Sequence, residues 1–225
     1  MPVNKELYYQ LSEQLKEEQV TLVAVSKTKT VSDILELYEL GQRDFGENYV
    51  QEMVEKHEQL PHDIRWHFIG HLQTNKVKYI IPFVHLIHGI DSLRLLKEVD
   101  RQAAKAGKIQ TVLLQMHIAT EATKFGLDEA DLNDLLNDPA FPTLKHIRIS
   151  GLMGMASFTE DAGQVAKEFS RLRSIFDHFE ERDSFNCRFS TLSMGMSADY
   201  KIAIAEGSNL VRIGSLLFGE RKKPA

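Results

Sequence analysis

Leu22-Val-Ala-Val-Ser-Lys-Thr-Lys29 is an apolar run that ends in two lysines. Together with Val20 it is short, continuous and rich in β-branched residues, which reads as a buried strand. Lys27 falls where that strand should emerge. An ammonium group losing hydration there has a lowered pKa, and neutral lysine is the form that attacks a carbonyl to make a Schiff base. On the octapeptide alone, two ordinary solvated charges ending a strand is the simpler reading. The octapeptide is also the first instance of a repeating pattern, and the repeat decides the fold.

On its N-terminal side, Leu7, Leu11 and Leu15 recur at four-residue spacing among Glu, Gln and Lys, which predicts an amphipathic helix within residues 3–18. On its C-terminal side, Thr30 or Ser32 can cap a helix carrying Ile34, Leu35, Tyr38 and Leu40, ended by Gly41. Seven more strand candidates follow at residues 43–48, 65–70, 83–90, 109–118, 146–153, 188–193 and 210–213. Helical patterns separate them, including one capped by Asp91-Ser92, one near 128–137 and a long one over about 160–182 with Val165, Phe169, Leu172, Ile175, Phe176 and Phe179 on one face.

Strand–helix alternation implies a parallel sheet. Eight such units in 225 residues fit a closed (β/α)8 TIM-type barrel, an α/β fold, with an extra N-terminal helix. A doubly wound open sheet shares the alternation, but the first strand lacks the Gly-x-Gly-x-x-Gly turn of a dinucleotide site. With no linker or composition break, the expectation is one domain over 1–225: an N-terminal helix (1–19), the barrel (20–219) and a basic tail (220–225) holding Arg221, Lys222 and Lys223. A loop carrying Lys124-Phe-Gly126 follows the fifth strand.

Hydrophobic residues make up 43% and charged residues 26%, ordinary for a soluble globular protein, and the net charge of -5 gives no general reason to expect nucleic acid. Cys187 is the only cysteine, which rules out an intrachain disulfide and cysteine-based zinc frameworks and suits a reducing compartment. The N-terminus has no signal-peptide core, and the most apolar stretch, 79–90, is too short to span a membrane and is broken by Pro82, His85 and His88. The expectation is a cytoplasmic protein without membrane contact.

A barrel of this kind carries its active site at the C-terminal ends of its strands. Those ends hold Lys27, Asn48, His67 with His71, His88 with Asp91, His117, Met153, Ser193 to Ser197, and Arg212 to Ser215. Ser193-Met-Gly-Met-Ser197 reads as a small-residue loop leading into a helix, with Asp199 in its first turn. Free backbone N–H groups and hydroxyls make such a loop an anion site, and Gly214-Ser215 would lie alongside it, where such barrels bind phosphate. Ser193, Gly195, Ser197, Gly214 and Ser215 are therefore the phosphate candidates. An imine-forming lysine beside a phosphate cup is the minimal kit for pyridoxal 5′-phosphate.

Arg212, on the strand that adjoins the first in a closed barrel, can face the pyridine nitrogen, where a permanent cation opposes its protonation. A salt bridge or another phosphate contact is the alternative. A zinc pair at His67 and His71 is disfavoured by Gly70 between them. A metal-dependent hydrolase using His67, His88 and Asp91 is a third and weaker reading. Ser26 and Thr28 read as hydrogen-bond formers, and the chain has neither a Gly-x-Ser-x-Gly elbow nor a Walker-type loop.

Ala24-Val-Ser-Lys-Thr-Lys29, Phe45-Gly-Glu-Asn-Tyr-Val-Gln-Glu52, Trp66-His-Phe-Ile-Gly-His-Leu-Gln-Thr-Asn-Lys76, Gly151-Leu-Met-Gly-Met155, Leu192-Ser-Met-Gly-Met-Ser197 and Val211-Arg-Ile-Gly214 closely resemble the pyridoxal phosphate homeostasis protein family. These are small relatives of the alanine racemase N-terminal barrel, and the match runs in order over residues 20–219. The resemblance implies that Lys27 holds the cofactor as a Schiff base, with Lys29 a secondary amine. It places Ser193, Gly195, Ser197, Gly214 and Ser215 around the phosphate, Arg212 toward the pyridine nitrogen, and Asn48 and Met153 near the ring. It further implies a monomer that buffers pyridoxal phosphate or delivers it to apo-enzymes requiring it, with effects on amino-acid and 2-oxo-acid balance and no turnover. Racemases of this fold add a C-terminal β-domain and a second acid/base from the partner subunit. A sequence ending at Ala225 leads to the expectation that both are missing. A low-activity amino-acid racemase is the alternative.

Overall fold

The strand of the opening octapeptide, β1 (Thr21–Val25), pairs in parallel with β2 (Asp44–Glu47) on one side and with β8 (Leu210–Ile213) on the other. Between them, β3 (Arg65–Phe68), β4 (Leu86–Ile90), β5 (Gln110–Met116), β6 (Ile147–Gly154) and β7 (Cys187–Met196) pair in chain order, so the sheet closes into an eight-stranded parallel barrel. The expected (β/α)8 architecture is the observed one. This computed structural model describes residues 3–120, 125–180 and 184–219. Lys124, the last residues of the expected 160–182 helix and the basic tail 220–225 lie outside the described residues.

Helices α1 (Lys5–Glu17), α2 (Val31–Glu39), α3 (Val50–Gln59), α4 (Val77–Ile80), α5 (Leu93–Lys105), α6 (Glu129–Asn137), α7 (Ala162–Glu180), α8 (Tyr200–Ala205) and α9 (Ser215–Phe218) surround the barrel. Several of their starts follow capping chemistry. Thr30 and Asp33 form a reciprocal capping box at α2, Asp128 and Asp131 do so at α6, and Ser92 Oγ accepts the Leu95 N–H at α5. Helix α1 buries Tyr8, Leu11 and Leu15, and the Asn4 N–H donates to Leu217 O (2.9 Å), tying the extra helix to α9. None of the helices among the described residues is long and apolar enough to cross a membrane.

Strand alternation sorts the core into two shells. Ala24, Phe45, Trp66, Ile87, Leu114, Leu192 and Val211 belong to the large cluster that extends outward through the helices, while Val23, Leu86, Leu113, Met153 and Leu210 pack together inside the barrel. Polar residues at inward parity include Asp44, His67, His88, Gln115, Ser193 and Arg212, all buried.

One strand differs from expectation. Strand β7 runs on to Met196, so Ser193-Met-Gly-Met is not a loop: Leu192 and Met194 pack outward and Ser193 turns in. Ser193 is paired with Leu210 and Met196 with Arg212 in the β8 register, which carries the chain one further layer up the barrel.

Candidate functional site

Past β1 the chain makes a tight turn. The Lys29 N–H donates to Ser26 O (3.0 Å), and φ is positive at Thr28 (65°) but not at Lys27, the sign pattern of a type II turn. A β-branched residue rarely adopts that φ. Here the turn is over-determined. Glu52 accepts the Thr28 N–H, Ser26 Oγ donates to Glu47 Oε1 (2.6 Å), and Lys56 Nζ, buried in α3, donates to Ser26 O (2.8 Å), Glu47 Oε1 (2.8 Å) and Glu52 Oε1 (2.7 Å). Burial pushes the Glu47 carboxyl up, against the pull of Lys56 and Ser26. Lys27 is thereby held, half-buried, at the barrel mouth.

Lys27 lines a cavity of ≈ 410 Å³ at the C-terminal ends of the strands, together with Lys29, Asn48, Met155, Ser197, Arg212, Gly214 and Ser215. That volume suits a small-molecule cofactor. The two lysines differ. Lys29 Nζ donates to Phe218 O (2.9 Å) and Gly219 O (3.3 Å), so its ammonium is tied to the end of α9.

Arg212 supplies the charge. Its side chain is fully buried, and its guanidinium donates to Ser193 O (2.9 Å), Ser193 Oγ (2.6 Å) and Gly154 O (3.0 Å). Desolvation lowers its pKa to about 10, which still leaves it a cation at neutral pH. No ion pair among the described residues includes it. A buried cation held only by neutral acceptors is costly unless an anion or dipole meets it. Nearby, Asn48 Oδ1 is buried without a hydrogen-bond partner. A buried guanidinium with no direct ion-pair partner, only the charge of Asp199 acting on it, lining one cavity with Lys27 fits a polar, anionic ligand.

The rim is shaped by two glycines. At Gly214 a Cβ would stand 3.2 Å from Val25 O and 3.3 Å from Val25 Cβ, and its N–H donates to Ser197 Oγ (3.2 Å). Gly195 has φ +96°, and a Cβ there would come within 2.6 Å of Ala203 Cβ. It bends β7 toward α8 and packs against that helix.

Of the nine residues singled out in the sequence, Lys27, Asn48, Ser197, Arg212, Gly214 and Ser215 meet in this cavity, and Ser193, Gly195 and Met153 do not line it. Ser193 sits one layer below, its hydroxyl engaged by Arg212, so it is not placed to hold a phosphate. Met153 packs with Val23, Leu86, Leu113 and Leu210; two residues on at the same parity, Met155 reaches the cavity wall, as does Met196. His67, His88 and Asp91 do not converge either: the two rings bond each other, and Asp91 pairs with His71 (3.3 Å).

Two polar networks were missed by reading strand ends. The Glu47–Lys56–Glu52 cluster joins a strand to a helix face. The second runs through the barrel: Ser193 Oγ to His88 Nδ1 (3.1 Å), His88 Nε2 to His67 Nδ1 (3.0 Å), and His67 Nε2 to Asp44 Oδ1 (3.0 Å). Burial alone would raise the Asp44 pKa, but hydrogen bonds and charge from Arg65 and His67 hold it at about 2. Burial, reinforced by the neighbouring His67 and Arg212, keeps His88 well below the ordinary histidine range. The parity of His67 and His88 on adjacent strands was the available signal.

Residues 6–222 match the family model described as alanine racemase, N-terminal domain. A pyridoxal phosphate homeostasis protein of Aquifex aeolicus is 41% identical over 89% of this chain and 87% of its own length. One from Escherichia coli K12 is 38% identical over 91% and 87%. Among solved structures, PipY of Synechococcus elongatus without PLP superposes at TM-score 0.87 with 36% identity, covering 95% of this chain and 99% of that one. The same protein with PLP bound gives 0.81 over 89% and 93%. An alanine racemase of Clostridium difficile shares the fold at TM-score 0.73 and 14% identity, and this chain spans 59% of it. By sequence, fold and order of motifs, the chain belongs to the alanine racemase N-terminal domain family, together with the pyridoxal phosphate homeostasis proteins.

Proposed function

We propose that this protein binds pyridoxal 5′-phosphate in the barrel-mouth cavity and serves intracellular cofactor homeostasis, holding the cofactor and releasing it to apo-enzymes that require it. The observation that carries the reading is the meeting of Lys27 with the buried Arg212, which has no direct ion-pair partner among the described residues, in one cavity of cofactor size. The relatives named for pyridoxal phosphate homeostasis and the PLP-bound PipY support it.

When bound, the cofactor supplies an aldehyde and an electron-accepting ring. Lys27 would hold the cofactor through Nζ, and the aldehyde would supply a carbonyl whose linkage to an amine, formed with release of water, can be reversed by water or another amine. Ser197, Gly214 and Ser215 offer hydroxyl and backbone donors to the phosphate. Arg212 is assigned to the pyridine edge, where its fixed charge keeps a proton off the ring nitrogen and weakens carbanion chemistry. Asn48, on the same cavity wall, is assigned to the side of the ring. We assign the protein to the cytoplasm and expect a monomer.

The lining also favours holding over turnover. Inverting an α-carbon needs one proton carrier on each face. Among the described residues, the protonatable groups on the cavity wall besides Lys27 are Arg212 and Lys29. Arg212 stays cationic, and Lys29 is bonded to the α9 carbonyls. A slow racemase using Lys29 is the second reading, since that amine does line the cavity. The test is the visible absorbance of the purified protein with and without added pyridoxal phosphate, followed by chiral assay after prolonged incubation with single L-amino acids. A saturable imine band with the L-isomers intact supports the carrier. Substantial cofactor-dependent inversion selects the enzyme, and no band at saturating cofactor overturns both.

A further inference from the structure

The polar column inside the barrel runs beside the apolar cluster of Val23, Leu86, Leu113, Met153 and Leu210. It joins Arg212 at the top to Asp44 near the bottom through Ser193, His88 and His67. Its proton pattern can be derived. Arginine only donates, and an ionised aspartate only accepts. Four bonds lie between them, Arg212–Ser193, Ser193–His88, His88–His67 and His67–Asp44. A serine and two neutral imidazoles carry one proton each, and Arg212 contributes the fourth. One arrangement satisfies every bond: Arg212 N–H to Ser193 Oγ, Ser193 O–H to His88 Nδ1, His88 Nε2–H to His67 Nδ1, and His67 Nε2–H to Asp44. Both rings are then Nε2–H tautomers.

A fifth proton breaks this pattern. If His67 becomes imidazolium, its Nδ1–H faces His88 Nε2–H, and His88 must move its proton to Nδ1. That proton then faces the Ser193 hydroxyl, which must swing away in a buried site. Ser193 Oγ is left accepting from His88 and Arg212 together with no partner for its own hydrogen. The anchor of Arg212 is weakened by one buried, unsatisfied donor.

The lower end of the column is open to a different side of the molecule. His67 and His85 line a second cavity, of ≈ 320 Å³, at the N-terminal ends of the strands, with Thr21, Thr111 and Leu210. The charged and titratable groups around the column are Asp44 from β2, Arg65 from β3, His85 ahead of β4 with Lys108 behind it, and Arg212 with Asp199 beyond it. Strands β1, β5 and β6 present Val23, Leu113 and Met153.

We propose that Asp44, His67, His88 and Ser193 are positioning residues that orient Arg212 under the cofactor through a one-way hydrogen-bonded column, and that a proton entering from the N-terminal face loosens cofactor retention. This rests on the cofactor reading given above, and the experiment separates the two. Imidazole NMR on the ¹⁵N-histidine-labelled wild type, with and without pyridoxal 5′-phosphate, should show His67 and His88 as Nε2–H tautomers at neutral pH. Release of bound cofactor to a scavenger should accelerate on acidification in the wild type by about tenfold more than in His67→Gln. The glutamine can bridge the same neighbours but takes no proton. Ser193→Ala should speed release at every pH by about tenfold, with Ser193→Thr restoring retention. An Nδ1–H tautomer at either ring, or equal pH profiles in the wild type and His67→Gln, overturns the column. The wild-type NMR decides it even if His67→Gln does not fold. Absence of a reducible adduct on Lys27 in the wild type overturns the cofactor reading instead.

Discussion

Lys56 Nζ donates to the carbonyl oxygen of Ser26 at 2.8 Å, one residue before Lys27. The same ammonium bonds Glu47 and Glu52, so its three protons are all used, and Glu52 also takes the Thr28 N–H. One buried cation on α3 thus fixes both sides of the turn that carries Lys27. Lys56→Met leaves Glu47 buried and unpaired. It should cost about 3–5 kcal/mol, the usual consequence of removing one partner of a buried pair. Urea unfolding of apo-protein measures it, and a loss under about 1 kcal/mol contradicts the clamp.

Thr28 holds a left-handed φ of 65°. Such a residue carries about 1–3 kcal/mol of strain, and glycine gives back about 1 kcal/mol of that through unfolded-state entropy. Thr28→Gly should therefore match the wild type or gain about 1 kcal/mol. Thr28→Pro forbids the positive φ and removes the N–H that Glu52 accepts, so it should lose about 3 kcal/mol or more. Thermal unfolding of the two variants checks the sign of each.

The Asp44 pKa lies at about 2, below its ordinary 3.8. A carboxyl depressed on folding adds stability that is complete above the unfolded pKa and is lost as pH falls through the folded one. The window here runs from about pH 5 down to about pH 2, and the contribution is about 2 kcal/mol. Asp44→Asn should lower stability at neutral pH and flatten the acid limb of the curve. An unchanged acid limb contradicts the pairing with Arg65 and His67.

Gly195 and Gly214 should respond differently to alanine. At Gly195 both φ and a 2.6 Å approach to Ala203 Cβ forbid a side chain, so Gly195→Ala should cost about 2–4 kcal/mol. At Gly214 φ is negative and the nearest contact is 3.2 Å, so Gly214→Ala should fold and instead weaken cofactor affinity. Calorimetric unfolding and a cofactor titration distinguish the pair.

The barrel was legible in the sequence because strand runs alternate with helical patterns, several of them with side-chain caps, as at Thr30, Ser92 and Asp128. Lys27 and Arg212 stood out as strand-end residues of a barrel, and the structure brings both to one cavity. The misreading of Ser193 has a physical cause. Ser-Met-Gly-Met has turn composition, and only tertiary contact with Arg212 makes a serine suitable inside a barrel. His67, His88 and Asp44 were hidden for the same reason: each is an unremarkable polar residue on its own strand, and their meaning comes from sharing inward parity across β2, β3 and β4. Lys56 shows locally only an i,i+4 pair with Glu52; its other partners, Ser26 and Glu47, come from outside its helix.

The central claim is that Lys27, and not Lys29, is the covalent anchor. Borohydride reduction of protein loaded with pyridoxal 5′-phosphate, followed by peptide mass mapping, tests it in wild type, Lys27→Ala and Lys29→Ala. The expected result is one pyridoxyl group on Lys27 in the wild type and in Lys29→Ala, and its loss in Lys27→Ala. A full adduct on another residue in Lys27→Ala would contradict the account.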